Sequence, residues 1–139
     1  MNSNWTKENI AWVSGLFEGE GTVGAYTRKS KEYLHSNGRW YKHKEVCKIA
    51  VRIGMTDVDV LLEAADILNL GEVYGPYKVT GGGHLYMKGK EYKNRYNLEI
   101  FTFEKVQQAM ILMWPWLSRR RRLQFEEAVV KYLDYSGRS

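Results

Sequence analysis

A chain of 139 residues has the size of one domain, and halving it would leave neither part a self-sufficient core. With 44% hydrophobic and 27% charged residues, no apolar run long enough for a membrane span, no apolar leader after Met1 and one cysteine (Cys47), the composition excludes wholesale disorder, a spanning helix, a disulfide framework and a multi-thiolate zinc site. A net charge of +5 with 14% aromatic residues points to nucleic acid as a partner of a soluble, intracellular protein whose compartment is left open.

Residues 1–139 read as a single unit without repeats or linkers. The spacing of Ile10, Val13, Leu16 and Phe17 predicts a helix from about Thr6 to Gly19, stopped by Gly19 and Gly21. Alternation over Thr22 to Arg28 predicts a strand. A polar loop from Ser30 to His43 follows, with Ser36-Asn37-Gly38 as its turn signal. From Lys44 to Gly54 the pattern is again a strand, with Cys47, Ile49, Val51 and Ile53 facing one way and Lys48 and Arg52 the other. Thr56 or Asp57 can cap a second helix to about Asn69, and Gly71 ends it. Strands over Glu72 to Tyr77 and about Tyr92 to Thr102 follow, separated by a loop with Thr80-Gly81-Gly82-Gly83. Helices over Glu104 to Trp114 and Ser118 to Tyr135 close the chain. The order αββαββαα implies an α+β fold with a mixed antiparallel sheet covered by helices on one face. The other face, bearing Tyr26, Arg28, Lys48, Arg52 and Arg95, is expected to be a basic saddle for duplex DNA.

Two helix ends carry charges that oppose the helix dipole. The first helix ends with Glu18 and Glu20, where cations are favoured, and the last begins with Arg119, Arg120, Arg121 and Arg122, where anions are favoured. Solvated side chains account for either run at modest cost. A divalent cation at the acids and a DNA phosphate at the arginines would relieve both. The three histidines, His35, His43 and His84, have no paired ligand spacing, and no Ser/His/Asp or Cys/His arrangement offers a protein nucleophile. Trp12, Trp114 and Trp116 read as packing residues and Cys47 as a core thiol. Trp40 and Tyr41, beside Arg39, Lys42 and Lys44, are better placed for DNA.

Residues 13–21, Val-Ser-Gly-Leu-Phe-Glu-Gly-Glu-Gly, resemble the LAGLIDADG motif of a family of homing endonucleases. Gly15, Leu16, Glu18, Glu20 and Gly21 keep the pattern, while Val13, Phe17 and Gly19 are mild substitutions. The resemblance implies site-specific cleavage of double-stranded DNA by metal-dependent phosphodiester hydrolysis. It assigns Mg²⁺ to Glu20 with Gly19, and catalysis to Glu20 supported by Arg120, or by Arg119 or Arg121 if the register slips by one. One motif per chain implies a homodimer, with Ser14, Gly15, Glu18 and Gly19 at the interface, on a long pseudo-palindromic site of the kind intron-borne enzymes recognise. DNA contacts are expected from Tyr26, Arg28, Arg39, Trp40, Lys42, Lys44, Lys48, Arg52, Lys93, Arg95, Arg119 and Arg121. Met55 departs from the family, which has a polar residue there, unless Arg52 has taken that role. An RNA-splicing maturase, or a DNA-binding protein on the same scaffold that has lost cleavage, are the alternatives.

Overall fold

The Thr6 hydroxyl accepts the Asn9 amide at 3.2 Å and so caps helix α1 (Lys7–Glu20) in the computed structural model, which describes residues 3–29, 33–41, 45–78 and 94–136. Ile10, Val13, Ser14 and Phe17 are the buried stripe of α1, at the helical spacing of a core face. Strand β1 (Gly21–Lys29) follows with no loop between them. Gly21 makes that junction possible, because a Cβ there would enter the ring of Phe17.

The loop expected after β1 holds a small hairpin of β2 (Tyr33–Leu34) and β3 (Trp40–Tyr41), turned at Gly38 with φ 81°. Strand β4 (Glu45–Met55) pairs antiparallel with β1, Gly21 opposite Ile53 and Tyr26 opposite Lys48. Helix α2 (Val58–Leu68) closes on Asn69 in the left-handed conformation. Strands β5 (Glu72–Tyr77) and β6 (Arg95–Phe101), helix α3 (Phe103–Met113), a 3-10 turn (Trp114–Trp116) and helix α4 (Arg119–Ser136) complete the chain. The Thr80 to Gly83 loop and the expected start of the last strand at Tyr92 lie outside the described residues.

The sheet order is β1-β4-β6-β5, antiparallel throughout. Apart from the added hairpin, the element order is the αββαββαα of the sequence pattern. Helix α4 lies across β1 and β4, α2 against β6, and α1 against β4, α2 and α3. Phe17, Ile53, Leu61, Leu98, Ile100, Met113 and Phe125 are fully buried between the layers, each such side chain stabilising the fold by about 1.5–3 kcal/mol. The Phe17 and Phe125 rings, 5.3 Å between centroids, join α1 to α4. This contact positions the site, because it brings the end of α1 to the start of α4.

Candidate functional site

At that joint the two helix ends exchange partners. Glu18 of α1 reaches α4, where the Ser118 amide donates to Oε1 at 2.7 Å and the Ser118 hydroxyl to Oε2 at 2.9 Å. Ser118 Oγ in turn accepts the Arg121 amide at 3.2 Å, which makes it the N-cap of α4. In a capping box the carboxylate that bonds the cap's N–H comes from the same helix. Here it comes from a residue 100 positions earlier. Arg121 returns the favour, donating Nε and Nη2 to the Glu18 carbonyl at 3.2 and 2.9 Å and Nη1 to Gln124 at 2.9 Å, with its guanidinium over the Phe17 ring. Burial pushes the Glu18 carboxyl up. The hydrogen bonds from Ser118 and the charges of Arg121 and Arg120 outweigh burial and hold it below the ordinary carboxylate value.

Half of each dipole conflict is thus resolved inside the chain. Glu18 supplies negative charge to the N-terminus of α4, and Arg121 supplies positive charge to the C-terminus of α1. Two expectations, for Arg121 and Ser14, are corrected by this packing. Arg121, expected on DNA, is only 6% exposed with its donors engaged. Glu18, expected at a dimer interface, bonds α4 of its own chain and keeps 30% of its side chain exposed. Ser14, expected at the same interface, is wholly buried and donates to the Ile10 carbonyl at 2.6 Å. Arg122 is also engaged, through its Nε on the Trp114 carbonyl at 3.0 Å and its guanidinium over the Trp114 ring. Glu20, Arg119 and Arg120 are left exposed, and among the described residues their side chains make no hydrogen bond or ion pair.

The outer side of α1 is open. Trp12, read from sequence as a packing residue, is 41% exposed, and a Cβ at Gly15 or Gly19 would meet nothing within 4 Å. These three residues follow one another at helical spacing, so they form one bare strip.

Register sorts the sheet. Directly opposed residues share a face, so Thr22, Tyr26 and Arg28 of β1 stand with Lys48 and Arg52 of β4 and with Glu99 of β6 on the side away from the helices. Arg95 is exposed on the same side, and its guanidinium and the Asn97 side chain lie over Gly54, 2.9 and 2.8 Å from where a Cβ would stand. The face is less uniformly basic than expected. Glu99 takes Arg52 Nε at 3.0 Å and stands opposite Glu72. Arg39 and Trp40 are exposed on the β2–β3 hairpin, while Lys42, Lys44 and Lys93 lie outside the described residues. Met55 packs against the core, which accounts for its being apolar.

No family model and no curated protein sequence matches the chain. Solved structures do. The homing endonuclease I-CvuI, crystallised with the I-CreI target in 2 mM Mg with its DNA not cleaved, matches at a TM-score of 0.64 and 16% identity, over 91% of this chain and 67% of its own. The group I intron-encoded homing endonuclease I-CeuI, complexed with DNA, matches at 0.62 and 14% identity over 100% of this chain and 62% of its own. The LAGLIDADG meganuclease I-AabMI, bound to uncleaved DNA, matches at 0.56 and 16% identity over 94% of this chain, which spans only 38% of that protein. The chain has the LAGLIDADG fold.

In this fold α1 carries the residues that resemble the motif, and its two acids have parted. Glu18 is a strap between helices, and Glu20 has no partner among the described residues. The last four carbonyls of a helix lack partners within it. Those of Phe17 and Glu18 accept the Gly21 amide and Arg121. The carbonyls of Gly19 and Glu20, the last two of the helix, fall outside its ladder, and with the Glu20 carboxylate this end of α1 carries only oxygen donors. This all-oxygen donor set suits a hard divalent cation. Among the described residues no three His, Cys, Asp or Glu side chains gather, so the Glu20 end of α1 is not a closed all-protein metal cage. Mg²⁺ is often held by one or two carboxylates together with substrate phosphates and needs no such cage.

Two residues of the site were not singled out from sequence. Ser118 carried a signal, since a serine directly before a helical run reads as an N-cap. Glu99 lies in a strand with nothing local to mark it as the partner of Arg52.

Proposed function

We propose that the protein is a homing endonuclease that binds duplex DNA on its open sheet face and cleaves it by metal-dependent hydrolysis as a homodimer. The charge left over at the joint carries this reading. Once Glu18 and Arg121 have satisfied each other's helix ends, Glu20, Arg119 and Arg120 have no partner there among the described residues. Each such exposed charge is disfavoured by about 0.3–1 kcal/mol at its helix end. A cation beside Glu20 and DNA phosphates beside the two arginines remove these penalties together.

The roles follow from the donors. Glu20, with the Gly19 carbonyl, holds Mg²⁺. When bound there, the cation supplies Lewis-acid stabilisation for the attacking water and the leaving oxygen. Arg120 donates to the phosphate that is cut and offsets the charge that builds on it, and Arg119 anchors a neighbouring phosphate. Tyr26, Arg28, Lys48, Arg52 and Arg95 face the bases. Arg39 and Trp40 extend the contact outward, with Lys42, Lys44 and Lys93 as further candidates. The bare strip of Trp12, Gly15 and Gly19 receives α1 of a second copy, so that two Glu20 carboxylates serve the two strands of a pseudo-palindromic site. The structural neighbours support this reading by what they are, homing endonucleases bound to DNA.

Met55 favours one other reading, binding without cleavage, because it brings no polar atom to a place where the resemblance implies one. Selection from a randomised duplex library, in Mg²⁺ and again in Ca²⁺, tests both. A pseudo-palindromic consensus cut in Mg²⁺ supports the endonuclease. A consensus bound but left intact in Mg²⁺ supports the binding protein, and the absence of any consensus contradicts both.

A further inference from the structure

Arg52 differs from Arg28 and Lys48 on the open sheet face, because its side chain is held on two sides. Its Nε donates to Glu99 Oε1 at 3.0 Å, and its guanidinium carbon lies 5.6 Å from the centre of the Tyr26 ring. The Glu99 side chain is only 13% exposed while that of Arg52 is 44% exposed, so the carboxylate is a recessed support and the guanidinium projects from it. We infer that Arg52 reads a guanine in each half of the DNA target, with Glu99 as its positioning residue and Tyr26 as the wall it stacks on. This rests on the duplex-binding reading above.

The geometry separates this role from two simpler ones. A contact serving only to cancel charge would engage the terminal amino groups in a parallel fork with both carboxylate oxygens. Among the described residues only Nε is used, and both terminal amino groups keep their N–H donors. A phosphate is drawn most strongly by net positive charge, and Arg52 with Glu99 has none. Glu99 also stands opposite Glu72, which makes the spot less attractive still to phosphate. A neutral edge with two acceptors is unaffected by that loss of net charge. In the major groove guanine offers such an edge through O6 and N7, spaced for two N–H groups of one guanidinium. Holding the arginine before DNA arrives removes much of the ordering cost that a free side chain would incur on binding.

The test uses the selected duplex with each of the four bases in turn at the position that Arg52 governs. For the wild-type chain, guanine should be preferred there by about 5- to 150-fold. Arg52→Ala should flatten that position and leave the others selective. Glu99→Ala removes a negative charge, so it should bind every duplex at least as tightly as wild type. Its preference for guanine should nevertheless fall by about 2- to 12-fold. Glu99→Gln removes the same charge but keeps an acceptor for Nε, and should restore most of the preference. A uniform loss at all positions from Arg52→Ala, or an unchanged guanine preference in Glu99→Ala, would overturn the inference. A wild-type chain that selects no consensus at all overturns the duplex-binding reading itself, whereas a consensus without an Arg52-dependent guanine overturns only this step.

Discussion

Among single residues, the four arginines 119–122 are divided by rotation about α4. Consecutive helical residues point about 100° apart. Arg121 stands four residues before Phe125 and seven before Ala128, both buried, so it faces inward while Arg119 and Arg120 face water. That stripe was legible in the sequence, yet the charge of the run drew all four arginines toward phosphate. Ser14 follows the same rule, four residues after Ile10 on the buried side of α1. Arg121→Ala should therefore cost about 1–3 kcal/mol in urea unfolding, because the Glu18 carbonyl loses its buried donors. Its effect on the salt dependence of DNA binding should be small. Arg119→Ala and Arg120→Ala should change stability by less than about 0.5 kcal/mol and reduce the salt slope by about one unit each. Arg120→Ala should also slow cleavage on saturating DNA. A reduced salt slope with unchanged stability in Arg121→Ala would mean that the buried and exposed arginines have been exchanged.

For whole elements, periodicity was enough to find α1 to α4 and the four strands of the main sheet, because helix and strand faces repeat over several residues. The β2–β3 hairpin was missed since two residues per strand give no period to read, leaving only its Ser36-Asn37-Gly38 turn as a signal. The joint between α1 and α4 was missed for a different reason. Glu18 and Ser118 are 100 positions apart, and no local pattern says which helix start an acid will meet. The same limit hid Glu99 from Arg52, 47 positions away. The exchange of helix ends predicts strong coupling. Ser118→Ala should cost about 0.5–2 kcal/mol through loss of the N-cap. In a double-mutant cycle with Glu18→Ala, the combined loss should fall short of the sum by about 0.5–3 kcal/mol. Additive losses would show that the two ends are satisfied independently.

For the molecule as a whole, the open strip on α1 and the exposed Glu20 are two sides of one proposal, since the strip is where a second chain would bring a second Glu20. Gly15→Leu tests the assembly cleanly. A side chain at Gly15 begins in open space, so the variant should remain folded by circular dichroism and yet sediment as a monomer. A dimer of unchanged strength would move the interface elsewhere. The most direct test of the central claim is the cleavage of the selected duplex in Mg²⁺ by Glu20→Gln beside the wild-type chain. The variant keeps its fold and loses one negative charge near the DNA, so it should bind that duplex as tightly as wild type or more tightly, and leave it uncut. Cleavage by Glu20→Gln at near the wild-type rate would contradict the assignment of Glu20 to the metal and the chemistry built on it.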